Sequence, residues 1–265
     1  MNPSDLGVLA RILEAKQEEV AALRAARPLA ELRREAEAAP VARPFLQALR
    51  GAPATAVIAE IKRRSPSRGD LAPGEKVPAR AKAYQDGGAA ALSVLTDMPF
   101  FGGTLDDLAA AREAVDLPAL RKDFIIDPAQ VYEARAAGAD AVLLIAAALE
   151  GPKLSELYHL VKDLGMEALL EVHKAAELEP VLDLDPPLVG INNRDLKTLK
   201  VSLETSRELR RIIPATVTVV AESGVSHPEQ VRELKAVGLD AFLVGTSLML
   251  APDPATTLRE LVEAA

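Results

Sequence analysis

The chain has no cysteine and no tryptophan among its 265 residues. The first absence excludes disulfides, thiolate nucleophiles and cysteine-ligated zinc. Aromatic residues make up only 3%, so any core must be assembled from Ala, Leu, Val and Ile. Long hydrophobic runs are missing too. The longest unbroken apolar stretch is residues 141–149, far short of the ~20 residues that span a bilayer. The N-terminal stretch MNPSDLGVLARILEAKQEEV has no basic segment followed by an apolar one, so a soluble, cytoplasmic protein without membrane contact is expected. Positive charge is not in excess either. The formal net charge of -8 speaks against a nucleic-acid-binding face but leaves room for a local site that takes a small anion. His159, His173 and His227 show no metal-ligand spacing, so surface or capping roles, and no metal, are expected.

What is present can bury a sizeable core: 49% of residues are apolar and 26% charged. A (β/α)8 barrel needs about 250 residues and forms one domain, so residues 1–265 are read as a single barrel domain with residues 1–50 as an N-terminal helical extension. Two helices are expected between residue 5 and about residue 38. Leu6, Leu9, Leu13, Val20 and Leu23 fall at helical spacing, and Pro28 suits the first position of the second helix. Pro40 and Pro44 mark its end.

From Thr55 onward, short apolar runs alternate with helical patterns. The runs are 55–61, 90–95, 118–121, 140–146, 167–172, 187–191, 215–221 and 240–244. Near-continuous aliphatic runs suit parallel strands covered on both faces. Helix starts between them include Asp127-Pro128 and a capping box from Ser226 to Glu229. The phrases DGGAAALSV, AAGADAVLL and AVGLDAFLV repeat one pattern, a helix-ending Gly followed by a strand. No G-x-G-x-x-G follows the first run, which removes the usual mark of an open dinucleotide-binding sheet. The fold class expected is α/β, a closed (β/α)8 barrel.

The functional signal lies at the ends of the runs. The first finishes in Glu60-Ile61-Lys62, the third in Lys122-Asp123, the fifth in Glu171, the sixth in Asn192-Asn193-Arg194 and the seventh in Glu222-Ser223. In a barrel these ends ring the mouth where catalysis occurs. Any one charge could simply begin a solvated loop, but a whole ring of them reads as a site. Glu222-Ser223-Gly224 and Gly245-Thr246-Ser247 follow consecutive strands. Glycine lets backbone N–H groups approach an anion there, and a short helix from about residue 246 would add its positive end.

At these residues the sequence resembles the indole-3-glycerol-phosphate synthase family, over nearly the whole chain and including the N-terminal extension. The phrases are E-I-K-R-R-S-P-S from Glu60, S-V-L-T-D from Ser93, F-F-G-G from Phe100, L-R-K-D-F from Leu120, L-E-V-H from Leu170, G-I-N-N-R from Gly190 and E-S-G from Glu222. Small departures, such as Thr246 where Ser is commoner, leave the chemistry untouched.

The resemblance implies a carboxy-lyase of tryptophan synthesis acting on 1-(2-carboxyphenylamino)-1-deoxyribulose 5-phosphate by ring closure, decarboxylation and dehydration. It implies no cofactor. Lys122 resembles the general acid at the carbonyl oxygen, with a pKa expected to be lowered by desolvation and supported by nearby carboxylates. Glu171 resembles the base of dehydration. Glu60 and Lys62 resemble a coupled pair, with Lys62 near the substrate anions; which lysine acts in which step stays open. Asn192, Arg194 and Ser65 match positions that handle the carboxylate and ribulose hydroxyls. Glu222 and Ser223 would line the mouth, with Gly224, Gly245 and Thr246 at the phosphate. Phe101, Phe124, Leu143 and Leu196 resemble the apolar pocket for the anthranilate ring. The extension would lie over the mouth. Two other readings remain: another phosphate-binding barrel using Lys122 as a Schiff base, and an inactive binding subunit. Association with other enzymes of tryptophan synthesis is left open.

Overall fold

A computed structural model describes residues 7–264, so Leu6, which the spacing places on the first helix, lies outside the described residues. Eight parallel strands close into a barrel: β1 (Ala56–Ile61), β2 (Ala91–Leu95), β3 (Ala119–Lys122), β4 (Ala141–Ile145), β5 (Glu167–Val172), β6 (Leu188–Asn192), β7 (Thr218–Glu222) and β8 (Ala241–Val244). Each strand pairs with its sequence neighbours, and β8 closes onto β1 through Ala56↔Ala241 to Ala59↔Val244. All eight runs became strands. The seventh begins three residues later than expected, after the turn in which Val217 N–H donates to Pro214 O.

The two-residue period of a strand divides its apolar residues between two layers. Ile58, Leu120, Leu143, Leu169, Val220 and Leu243 meet inside the barrel. Val57, Val142, Leu170, Val189, Val219 and Phe242 meet the surrounding helices. Continuing the inward series toward the strands' C-terminal ends gives Glu60, Lys62, Lys122, Glu171, Asn192 and Glu222. The repeated Gly pattern has one cause: Gly88, Gly138 and Gly238 have φ of 88°, 88° and 93°, the left-handed turn that returns each helix to the sheet.

The N-terminal extension runs the height of the barrel, in three helices where two were expected. α1 (Val8–Ala26) lies across the mouth, α2 (Leu29–Ala38) packs on the helix Pro128–Ala136, and α3 (Phe45–Arg50) closes the floor. Phe45 and Leu49 are buried against Ala56, Ala91, Leu188 and Ala241, and Arg50 Nε donates to Thr218 Oγ1 at 2.9 Å. Pro28 caps α2 rather than opening it. The capping expected from Ser226 to Glu229 sits one residue on: the Gln230 side chain accepts from the backbone N–H groups of Ser226 and His227, at 2.8 and 3.1 Å.

The buried stripe of α1 is Ile12, Lys16 and Val20. A lysine at its centre is the opposite of the expected apolar seam. Lys16 Nζ lies 2.8 Å from Asp123 Oδ1, 3.1 Å from Asp97 Oδ2 and 2.8 Å from Glu19 Oε2. Burial opposes its charge, but the two aspartates outweigh burial and hold it above the usual lysine range. Asp123 also meets Arg121 at 3.0 Å and Thr96 Oγ1 at 2.6 Å, and its carboxyl is held down to about 2. A buried charge left without its partners is strongly destabilising, so this network fastens α1 to the barrel beside Lys122. Deleting residues 1–40 should leave a folded barrel by circular dichroism, because every strand and the α3 floor remain, but raise KM or lower turnover. Unchanged kinetics in the truncated chain would show that α1 and α2 serve stability or association only.

Candidate active site

The charged ends of the strands and the underside of α1 enclose a cavity of about 790 Å³, within the size range of small-molecule sites. Every candidate residue lines it: Glu60, Lys62, Ser65, Phe101, Lys122, Phe124, Leu143, Glu171, Asn192, Arg194, Leu196, Glu222, Ser223, Gly224, Gly245 and Thr246. Val8, Leu9 and Ile12 of α1 form part of the wall.

At the centre, Lys122 Nζ donates to Glu171 Oε2 at 2.8 Å and to Glu222 Oε2 at 2.9 Å. Beside it Lys62 is ion-paired with Glu60. Burial opposes the Lys122 charge, yet Glu171 and Glu222, with Glu60 behind them, hold the ammonium well above the usual lysine range. The sequence had suggested a lowered value; two carboxylates on one amine reverse that sign. Glu171 is fully buried, but Lys122 and His173 outweigh burial and keep its carboxyl well below the ordinary range. For Glu222, burial acts upward and Lys122 downward, but Glu171 shares that lysine and repels a second anion, so its carboxyl is pushed up to about 7. Gly190 allows this crowding, because a Cβ there would overlap the Glu222 carboxylate.

His173 corrects the expectation of a surface role. Its side chain is 11% exposed, with Nε2 3.2 Å from Glu171 Oε1 and Nδ1 3.4 Å from Glu177 Oε2. Burial disfavours its charge, but the two carboxylates raise its pKa to about 10.

One side of the cavity is apolar. Phe101, at the end of the short helix Met98–Phe101, and Phe124, just past β3, lie with ring centroids 6.2 Å apart. Leu143 from β4 and Leu196 from the loop after β6 also border the cavity. Another side is cationic. Arg194 donates to Leu199 O at 3.1 Å but meets no carboxylate within ion-pair distance among the described residues. Burial and the neighbouring charge of Arg68 both lower its pKa. Two cations without a counter-anion among the described residues suit an anionic ligand.

After β7 the chain turns sharply, with Ser223 at φ 62° and Gly224 at φ 87°. A serine with positive φ costs energy and needs support from its surroundings. Asn193 supplies it, donating from Nδ2 to Glu222 O at 3.1 Å and Ser223 O at 3.0 Å. Gly245 precedes the short helix Thr246–Leu250, where the sequence placed it. Ser65 Oγ, Ser247 Oγ and Glu222 Oε1 belong to residues that line the cavity, are buried, and have no hydrogen-bond partner among the described residues. Buried polar atoms are normally paired, so orphaned polar atoms on residues that line the cavity suit a polar ligand.

A family model for indole-3-glycerol phosphate synthase matches residues 9–261. The protein of that name from an Azoarcus species is 51% identical over 259 residues, 96% of this chain and 98% of that protein. The one from Bordetella pertussis is 50% identical over 258 residues, again 96% of this chain and 98% of that protein. The chain belongs to the indole-3-glycerol phosphate synthase family. Solved structures at low identity show the same fold. 3-Hexulose-6-phosphate synthase from Salmonella typhimurium aligns with a TM-score of 0.64 at 13% identity, covering 79% of this chain and 98% of that one. Thiamine phosphate pyrophosphorylase from Pyrococcus furiosus aligns with a TM-score of 0.60 at 17% identity, covering 83% and 97%.

One lining residue, Arg68, and two residues in contact with the lining, Lys16 and His173, escaped the sequence reading. Arg68 belongs to the loop after β1, in the phrase S-P-S-R-G, where a lone arginine looks solvated. Lys16 lies on a helix whose period is carried by its apolar residues, so its position gave no signal. His173 carried a usable signal, since period two from Leu169 and Glu171 puts it on the same face.

Proposed function

We propose that this chain catalyses ring closure, decarboxylation and dehydration of 1-(2-carboxyphenylamino)-1-deoxyribulose 5-phosphate to indole-3-glycerol phosphate, as a cytoplasmic carboxy-lyase in one barrel domain with residues 1–50 as its extension. The observation that carries this reading is one ammonium, Lys122, held between two buried carboxylates in a cavity with an apolar wall and cations that have no ion-pair partner among the described residues. The aromatic ring of the substrate suits Phe101, Phe124, Leu143 and Leu196. Its carboxylate suits Arg194, and its hydroxyls suit Asn192 and Ser65. The phosphate suits the backbone of Gly224 and Gly245 with Thr246 at the start of a helix.

In ring closure the aryl carbon bonds to the ribulose carbonyl carbon while Lys122 gives its proton to the carbonyl oxygen. The carbon–carboxylate bond then breaks, releasing CO2 and restoring the aromatic ring. In dehydration the new hydroxyl leaves as water, with a proton from Lys62, while Glu171 removes a proton from the ring. Glu171 lies 2.8 Å from Lys122, close enough to hand that proton back and reset both groups, and Lys62 regains from solvent the one proton that loss of CO2 from a carboxylate consumes. Glu60 holds Lys62, and Glu222 and Ser223 shape the mouth.

A Schiff-base reading is disfavoured, because an amine must be neutral to attack a carbonyl and two carboxylates keep Lys122 charged. The intact ring of acid, base and carboxylate groups likewise disfavours an inactive subunit. Incubation with the proposed substrate should yield indole fluorescence, and borohydride added during turnover should trap no adduct. A reduced lysine adduct without fluorescence would replace this reading with the aldolase one.

A further inference from the structure

The two carboxylates that share Lys122 are nearly equivalent from the lysine's side, at 2.8 and 2.9 Å. They differ at their other oxygens. Glu171 Oε1 faces His173 at 3.2 Å, whereas Glu222 Oε1 is buried with no partner. Three ionisable groups in one dry site cannot all carry full charge without cost, and two neighbouring carboxylates resolve the conflict by placing a proton on one of them. The protein must therefore choose which.

We propose that His173 makes that choice: its imidazolium, backed by Glu177, keeps Glu171 ionised as the base and directs the proton of the group to Glu222. The inference rests on the reaction assigned above. His173 is a positioning residue in this scheme, acting through Glu171 rather than on the substrate. Its contacts are charge contacts, since neither ring nitrogen makes a well-directed hydrogen bond among the described residues. Glu177 locks the ring from behind, accepting from His173 N–H at 2.7 Å as well as facing Nδ1. Lys174 lies 3.5 Å from Glu177, and Asp195 feels the His173 charge from the loop after β6. Toward Glu171 itself the charged neighbours are Lys122 from β3, Glu222 from β7 and His173. Glu222 takes a proton near pH 7 and Glu171 stays far below that.

The arrangement has a use. When Lys122 has given up its proton, Glu171 loses one counter-cation. His173 is the second, and it keeps Glu171 anionic until dehydration needs a base. Without His173, Glu171 takes a proton at a higher pH than in the parent, and the base switches off sooner as the medium is acidified.

The test is the pH dependence of the dehydration step in single turnover, comparing the full-length enzyme with His173→Gln and with Glu177→Gln. His173→Gln keeps a donor near Nε2 but removes the charge. Its dehydration step should acquire an acid limb about 1–3 pH units above that of the parent, the span an adjacent charge normally controls. Ring closure, which needs Lys122, should keep its parent profile. Glu177→Gln should move the limb the same way by less, and it serves if His173→Gln does not fold. Identical dehydration profiles in parent and folded variants would overturn the proposal. A second readout does not depend on activity. The chain has three histidines, so imidazole NMR gives three signals, and the one missing in His173→Gln identifies His173. It should remain cationic past neutrality in the parent and titrate lower in Glu171→Gln. An unchanged titration there would also sink the proposal. If the parent enzyme does not convert the substrate but the imidazole result holds, the assigned reaction fails while the charge clamp stands.

Discussion

Lys122→Met should reduce turnover at least ~100-fold, the range typical for loss of a general acid, and leave a folded barrel. Methionine fills the space of the lysine stem but has no proton to give. The fold survives because of Glu222. Removing the ammonium leaves Glu171 and Glu222 facing one another in a buried site, a costly arrangement if both stay ionised. Glu222 is already close to protonation at neutral pH, so it takes up a proton and relieves the repulsion. Lys122→Arg separates acid chemistry from charge balance. Arginine keeps the cation between the carboxylates but does not release a proton in the working pH range, so turnover should stay low while the fold is undisturbed. Near-normal turnover in Lys122→Met, with circular dichroism confirming a folded chain, would remove Lys122 from the acid role.

The barrel was legible in the sequence because its determinants are local and periodic. Eight aliphatic runs, their spacing and the helix-ending glycines can be read in any window, and the inward register of Glu60, Lys62, Lys122 and Glu171 follows from period two. Electrostatics was not legible in the same way. The sign of the Lys122 shift depends on Glu222, 100 residues away in sequence, and on how completely both are buried. The burial of Lys16 depends on Asp97 and Asp123, which follow two different strands far from α1 in sequence and meet it only in the folded barrel. The floor helix α3 was missed because its six residues are too few to show a period. The resemblance supplied a ligand-facing role for Ser65, which composition and spacing alone would have left in a solvated loop, whereas Arg194 stood at the mouth by its position at the end of the sixth run.

Glu171→Gln carries the other large expected effect, a fall in product formation of roughly 10²–10⁴-fold with little change in KM. Glutamine keeps the size of glutamate but cannot take a proton. If Glu171 is the base of dehydration, ring closure and loss of CO2 still proceed, and the last step becomes limiting. Single-turnover experiments should then show a decarboxylated but undehydrated intermediate building up. The competing role is charge balance for Lys122, and the geometry makes that outcome distinct. Replacing Glu171 leaves Glu222 as the sole carboxylate on Lys122 and removes the anion that pushes Glu222 up. The Glu222 carboxyl should then fall from about 7 toward the ordinary carboxylate range. A charge-balancing Glu171 therefore predicts a profile whose acid limb moves downward, with a modest loss at the optimum and no intermediate. A catalytic Glu171 predicts a rate that stays low at every pH, because no pH restores the lost base. The pH optimum alone cannot separate the two roles; the height of the plateau and the intermediate can. A variant that recovers most of its rate once the pH is adjusted, with no intermediate detected, would return Glu171 to the role of counter-ion and leave the base of dehydration to be sought at Glu222.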